Sequence, residues 1–304
     1  MKKDFNSFSE ELRNRLQEKM GEDLEIKITE VTKNNGQLYH GLCMQARDCN
    51  IAPTIYIDRY YQEYRNDLKC FEEILDEVID IYHNNRIAKS VDVEGLLDFE
   101  NIKDKIICEL INYEQNKEQL EQIPYIPYHD LAIVFRILCT LDDKETGTIL
   151  INHTHRAMWK NISEQELYDL AIVNTKRLLG CKICDITQIL KEHYADMEQD
   201  ICDEMFTDVV PMYVMSNDHC FKGAASLLNV ERLEEFAIKH NTDFYILPSS
   251  IHEIILLPVG TSENTEYLKD MVSQINHSEV SKEDRLSNHI YFYALGSKTV
   301  TIDA

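Results

Sequence analysis

Alternation of apolar and polar side chains begins at Leu24 and constrains the fold more than any other sequence feature. Leu24, Ile26 and Ile28 fall on one side of an extended chain, because successive strand residues point to opposite faces. Asn34-Asn35-Gly36 follows and is typical of a tight turn. The segment QLYHGLCMQ then has the composition of a return strand. The sequence therefore predicts an antiparallel β-hairpin near the N-terminus.

Other strand-like segments also occur in adjacent pairs. The apolar run LAIVFRILCT precedes TILINH across a polar turn, and FYIL precedes IILLP across Pro248-Ser249-Ser250. Neighbouring strands joined by short turns pair antiparallel, whereas parallel strands need long crossover connections. Amphipathic helical segments lie between these pairs. We therefore predict an α+β fold with antiparallel β-hairpins, arranged in two subdomains.

A polar run, NKEQLEQ, followed by Pro124 and Pro127, indicates the boundary between the two predicted domains. Before it, helical periodicity predicts helices over residues 5–20, 57–86 and 91–120. The predicted domains are residues 1–122, a hairpin with a helical region, and residues 123–304, an α+β domain. The length of 304 residues suits two domains of ordinary size.

The clearest predicted helix begins at Ser163, which forms a capping box with Glu166, and ends at Gly180. Asn174 occupies the apolar stripe of this helix, where it must hydrogen-bond because an unpaired buried amide is costly. Its amide either hydrogen-bonds to the backbone of a loop or lines a cleft. If it lines a cleft, Asn174 is a candidate binding residue, and Trp159, at the entry to the helix, is a second one.

The net charge of −23 limits the classes of partner. Nucleic-acid binding through phosphate contacts needs clustered cations, and anionic membrane surfaces disfavour such a chain for the same reason. Acidic faces either dock a basic partner or serve solubility. The N-terminal segment lacks the apolar run of a secretory signal, and the odd number of cysteines, nine, fits a reducing compartment. We expect a cytoplasmic protein without a membrane span or a cofactor.

Two short motifs are candidates for metal or redox chemistry. Cys181 and Cys184 form a C-x-x-C pair, but this pair follows the end of a helix rather than opening one, and structural cysteines in an inter-helix turn are the alternative. His153 and His155 would share a face if the strand before them continues. Both pairs lack the further ligands at standard spacing that a zinc module needs.

Ser250, His252 and Glu253 are the weak candidates for catalysis. Ser250 and His252 share a face of an extended segment, and Glu253 points the other way, so His252 and Glu253 do not form an adjacent dyad. The surroundings lack the Gly-x-Ser-x-Gly elbow of hydrolases, and small hydroxyl residues are also common in turns. Glu253 precedes a buried strand, where a carboxylate needs a partner or has a raised pKa.

The pattern W-x-x-x-S-x-x-E-L-x-x-x-A-x-x-N-T from Trp159 to Thr175, with ASLLN and LPSSIHEIILLPVG, resembles a family of anaerobic Firmicutes proteins classed as a domain of unknown function. A second uncharacterised Firmicutes family is more distantly similar. Its helix after a Trp and its Ala-Ser-x-x-Leu-Asn segment match, but it has Pro-His-x-Asp where this chain has residues 248–253. The resemblance implies a bacterial source and carries no mechanism.

Two functional hypotheses follow from the sequence. Because the common nucleotide, zinc-protease and RNA-binding motifs are missing from it, the first is a non-catalytic binding or regulatory module for a protein or small ligand. The alternative is a hydrolase or metal-dependent enzyme with a non-standard site, in which the histidine, cysteine and serine motifs converge in one cleft. The sequence does not indicate the oligomeric state.

Overall fold

The computed structural model describes residues 2–47, 49–50, 52–85, 95–96, 98–140, 146–160, 162–193, 210–260 and 265–302. The chain divides into two compact units, Met1–Glu94 and Gly95–Ala304. The domain boundary predicted between residues 122 and 123 falls inside the second unit.

Within its described residues, the first unit combines a three-stranded antiparallel sheet with three helices. The predicted hairpin is confirmed, with Leu24 opposite Ala46 and Thr32 opposite Leu38. Asn35 and Gly36 have φ angles of 58° and 62°, a conformation that Asn and Gly tolerate best. The strands, in sheet order, are β1 (Leu24–Thr32), β2 (Leu38–Ala46) and β3 (Thr54–Tyr56). The helices are α1 (Phe5–Met20), α2 (Asp58–Arg65) and α3 (Phe71–Asn84).

Alternating residues of the hairpin form the sheet side of the first core. Leu24 and Ile26 of β1, with Leu42 and Met44 of β2, are buried in one cluster with apolar residues of α1 and α3. α1 begins and ends as the sequence predicts, at Phe5 and before Gly21. The predicted helix over residues 57–86 is instead two helices, α2 and α3.

The part of the second unit that the structure describes forms two antiparallel sheets. In the first sheet, the long strand β6 pairs with all three of its neighbours. Its strands are β4 (Ile106–Asn112), β5 (Tyr125–Tyr128), β6 (Leu131–Thr140) and β7 (Thr146–Leu150). The prediction that LAIVFRILCT and TILINH form an antiparallel pair is confirmed by β6 and β7.

The helix predicted over residues 91–120 is wrong, since β4 lies within it. All seven residues of β4 are buried. A strand covered on both faces has a continuous apolar run instead of alternation, and periodicity alone does not distinguish such a run from a buried helix. β4 and β5 belong to one sheet, so the polar run between them connects two strands of one unit and does not link domains.

The second sheet of this unit has six strands in the order β13-β12-β10-β11-β9-β8, and all its pairs are antiparallel. The predicted pairing of FYIL with IILLP is confirmed by Leu247 opposite Ile255. Together the sheets and helices make this an α+β protein. The strands are β8 (Lys182–Asp185), β9 (Tyr213–Ser216), β10 (Phe244–Leu247), β11 (Ile254–Pro258), β12 (Tyr291–Tyr293) and β13 (Val300–Ile302).

Helices and a 3₁₀ turn over residues 223–228 connect these strands. The described helices of this unit are α4 (Phe99–Ile102), α5 (Lys117–Leu120), α6 (His153–Met158), α7 (Glu164–Leu179), α8 (Ile186–His193), α9 (Val230–His240) and α10 (Thr265–Ser278). The predicted capping box of Ser163 and Glu166 begins α7, and Gly180, with φ of 68°, ends it. Within the described ranges, no helix combines the length and apolarity needed to cross a membrane.

Candidate functional site

The connection between β10 and β11, residues 248–253, is held against a second loop of the same unit. Ile251 N donates to Asp284 O at 2.8 Å, Leu286 N to Ser249 O at 3.1 Å, and Ser287 N to Pro248 O at 2.9 Å. Ser250 and Arg285 form an isolated antiparallel bridge. Through these bonds residues 284–287 pair with the predicted turn as a short strand would. The pairing holds the backbone that leads into His252 in place.

Both ring nitrogens of His252 contact neighbouring segments. The backbone N–H of Lys222 donates to Nδ1 at 3.3 Å, and Nε2 lies 3.3 Å from Asp284 Oδ1. Because Nδ1 accepts a hydrogen bond, the neutral imidazole carries its proton on Nε2 and directs it toward the carboxylate. Both ring nitrogens are therefore engaged, and neither is directed at a nucleophilic side chain.

The backbone of His252 is held by two serine hydroxyls. Its N–H donates to Ser250 Oγ at 3.0 Å, and its carbonyl accepts from Ser216 Oγ at 2.7 Å. Gly223 packs against the same carbonyl, since a Cβ on Gly223 would lie 2.4 Å from it. Ser250 therefore contacts the histidine backbone, and the imidazole contacts come from Lys222 and Asp284 rather than from the half-buried Glu253.

Lys222 connects His252 to a buried charge cluster, which consists of Glu109, Arg136 and Lys222. Glu109 lies on β4 with its side chain 1% exposed, and it forms ion pairs with Arg136 of β6 and with Lys222. Arg136 Nη1 also donates to Thr148 Oγ1 of β7 at 3.4 Å. Two strands, β4 and β6, and the loop before residue 223 therefore meet at one carboxylate, and β7 is linked to it through Arg136.

Burial and charge act on the cluster in opposite directions. Burial alone would raise the pKa of the Glu109 carboxyl, but the two adjacent cations outweigh it and hold that pKa below its ordinary value. Burial lowers the pKa of the Lys222 ammonium, against the attraction of Glu109 and with the repulsion of Arg136. The charges of this cluster are therefore stabilised by one another rather than by water.

A polar cavity of 790 Å³ lies beside the same loop. Four segments form it: residues 112–115 at and after the end of β4, the turn before β6, the C-terminal end of α10 and residues 285–289. Leu286 is the one apolar residue of its lining. The wall includes Asp130, whose carboxylate accepts from Ser287 Oγ at 2.6 Å and from the hydroxyl of Tyr291.

Asn276 is the residue of this wall with an unsatisfied group. It is 2% exposed, and its Nδ2 donates to Ser287 O and to Asn288 Oδ1, each at 2.8 Å. Its Oδ1 is buried and has no hydrogen-bond partner. Asn112, also buried in the wall, has both ends of its amide bonded, to Leu286 O and to the N–H of Gln115, each at 2.9 Å.

Comparison with known proteins identifies a family and no activity. A family model described as a family of unknown function, DUF5688, matches residues 5–294. The chain belongs to this family. Neither the curated proteins nor the solved structures give a match. The resemblance to a domain of unknown function is therefore confirmed, and the bacterial source and the second family stay predictions.

Two residues of this DUF5688 member, Asn174 and Trp159, were predicted as a binding position and lie in the core. Asn174 Nδ2 donates to Lys103 O at 2.8 Å and to Ile106 O at 3.0 Å, and its Oδ1 accepts from Arg177. Asn174 therefore satisfies the backbone that leads into β4. Trp159 is 6% exposed and stacks on His155, with ring centroids 5.6 Å apart.

The histidine and cysteine pairs occupy other elements than predicted. His153 and His155 lie on α6 instead of a strand, because Asn152 caps a helix there. Cys181 precedes β8 and Cys184 lies on it, so this pair adjoins a strand and not an inter-helix turn. Among the described residues, no group of three or more His, Cys, Asp or Glu side chains could hold a metal ion.

The structure brings together residues that the sequence pattern did not select. Glu109 is hidden in the apolar run IICELIN, and Arg136 in LAIVFRILCT. A charged residue inside each of two continuous apolar runs is the signal that could have predicted a buried ion pair. Lys222 and Asp284 lie in loops, and their sequence carries no corresponding signal.

Proposed function

We propose that this DUF5688 protein is a non-catalytic binding module that takes a small polar ligand in the cavity beside residues 285–289. The observation that carries the proposal is the unpaired Oδ1 of Asn276 at the cavity wall. A buried acceptor without a donor costs about 1–3 kcal/mol. A ligand that draws the Asn276 side chain toward the cavity and donates an N–H or O–H to this oxygen recovers that cost.

The lining of the cavity supports the chemical class of the ligand. Amide, hydroxyl and imidazole groups predominate, and one arginine and two carboxylates are present. Asp130 already accepts from two hydroxyls, so its charge is engaged within the protein. Such a lining favours a neutral molecule with several hydrogen-bond donors over an apolar or highly charged one.

The contacts of His252 favour binding over the hydrolase alternative. A general base needs a ring nitrogen within hydrogen-bond reach of the proton that it removes. In the described structure Nδ1 accepts from Lys222 and Nε2 faces Asp284. Ser250 Oγ accepts from the His252 backbone. We therefore do not assign catalysis to Ser250, His252 or Glu253.

The test is a binding experiment with defined small molecules, namely neutral monosaccharides, nucleosides and dipeptide amides. We expect at least one class to shift the side-chain NH₂ resonances of Asn276 and Asn112 in ¹⁵N NMR spectra and to raise the melting temperature. Asn276→Leu removes the acceptor and should abolish the response. Asn174→Leu replaces a buried amide outside the cavity and should leave binding intact. A panel that leaves both resonances unmoved refutes the proposal.

A further inference from the structure

His252 and the loop over residues 220–222, called here the Lys222 loop, form a contact that depends on the protonation state of the histidine. We infer that protonation of His252 releases the backbone of Lys222 within this loop, so that the second unit contains a pH-sensitive conformational device. The inference is independent of the ligand proposed for the cavity. It rests on the direction of one hydrogen bond, on backbone conformation and on the charges around the ring.

The hydrogen bond from Lys222 N to His252 Nδ1 requires a lone pair on Nδ1. In the neutral ring that lone pair is present, and the proton resides on Nε2, which faces Asp284. In the imidazolium both nitrogens carry a proton, so Nδ1 faces the Lys222 N–H as a second donor. Protonation therefore replaces an attraction by a repulsion at this contact alone.

The Lys222 loop has a backbone that needs support from its surroundings. Cys220 and Lys222 have φ angles of 52° and 53°, in the left-handed region that non-glycine residues rarely occupy. Such conformations persist where neighbouring contacts impose them. For Lys222 these contacts are the hydrogen bond to His252 and the ion pair to Glu109. Loss of the first leaves Lys222 with the ion pair, while Asn217 still holds Phe221 of the same loop through hydrogen bonds to its N–H and its carbonyl.

The charges around His252 come from three segments. Asp284 lies opposite Nε2 and favours the imidazolium. The ammonium of Lys222 opposes it, and that charge is balanced by Glu109, which Arg136 shares. Glu253 follows on the histidine's own segment. Charges of both signs therefore lie around the ring.

The experiment measures hydrogen exchange at the Lys222 amide together with the titration of the His252 ring by NMR. In the wild-type protein we expect the protection factor of this amide to fall as the ring becomes protonated. His252→Asn places an acceptor near the position of Nδ1 and has no titratable proton, so the protection factor should become independent of pH. Folding of each variant is checked by the fluorescence of Trp159, the single tryptophan.

Asp284→Asn supplies a second test within the same device. Because it removes the charge that favours the imidazolium, the transition at the Lys222 amide should move to lower pH. A Lys222 amide that keeps its protection while His252 titrates would overturn the inference. The same loss of protection in His252→Asn as in the wild type would also overturn it.

Discussion

Lys222 and Glu109 are 113 positions apart in the sequence and form an ion pair whose carboxylate is 1% exposed. Arg136 shares that carboxylate from the neighbouring strand. The burial of charges is costly, and the attraction between them offsets this cost only while all partners are present. The second unit therefore depends on contacts that local sequence patterns do not encode.

Glu109→Gln should destabilise the second unit by about 3–5 kcal/mol, because it leaves two half-buried cations without their shared, fully buried carboxylate. The measurement is urea unfolding followed by the fluorescence of Trp159, which is buried in the same unit. The matched control is Glu231→Gln, at the exposed pair with Lys176, where Glu231 is 72% exposed. We expect the control to change stability by less than about 1 kcal/mol. Equal effects of the two substitutions would contradict a buried cluster.

The stability difference between wild type and Glu109→Gln should depend on pH. The folded pKa of the Glu109 carboxyl lies below the ordinary value of 4.5. A carboxyl with a depressed folded pKa contributes stability above the unfolded pKa and loses it as pH falls through the folded pKa. The difference should be constant near neutrality and narrow below pH 4.5. Urea unfolding at several pH values checks this, and a difference that widens in acid would show that Glu109 is not held ionised.

Local patterns predicted much of the fold. The hairpin of β1 and β2 has alternation and an Asn-Gly turn, and α7 has a capping box and a terminal glycine, so each is specified by residues adjacent in sequence. The sequence predicts a helix where β4 lies, because its seven buried residues lack alternation. A strand of this kind is defined by its partners, and β6 lies outside the window in which periodicity is assessed.

The candidate site was less predictable for the same reason. The sequence selected Ser250 and His252, but their partners Ser216, Lys222 and Asp284 come from segments about 30 or more residues away. Nothing near Asn276 in the sequence indicates that its carbonyl oxygen lacks a donor. Hydrogen-bond direction and burial are properties of the assembled fold, and the sequence spacing of Ser250, His252 and Glu253 does not encode them.

Cysteine reactivity should follow burial in the second unit. Burial raises the pKa of the Cys108 thiol to about 12, so almost no reactive thiolate exists there in the native protein. Cys220 is exposed on the Lys222 loop. Iodoacetamide at pH 8 should therefore label Cys220 and leave Cys108 unmodified until denaturant is added, as mapped by peptide mass spectrometry. Comparable labelling of both thiols in native protein would be inconsistent with the burial of β4.

Gly223→Ala should destabilise the second unit by about 1–3 kcal/mol through steric overlap. A Cβ at this position would lie 2.0 Å from Ser216 Oγ and 2.4 Å from His252 O. The backbone carbonyl of His252 has little freedom to move, because residues 248–253 are bonded to residues 284–287 on their other side. Urea unfolding monitored by Trp159 fluorescence measures this loss of stability.

Combining Gly223→Ala with Ser216→Gly removes the first overlap and keeps the second, so it should restore only part of the stability. Full restoration would show that the His252 carbonyl does not constrain residue 223, and wild-type stability of Gly223→Ala would refute the close packing of these segments.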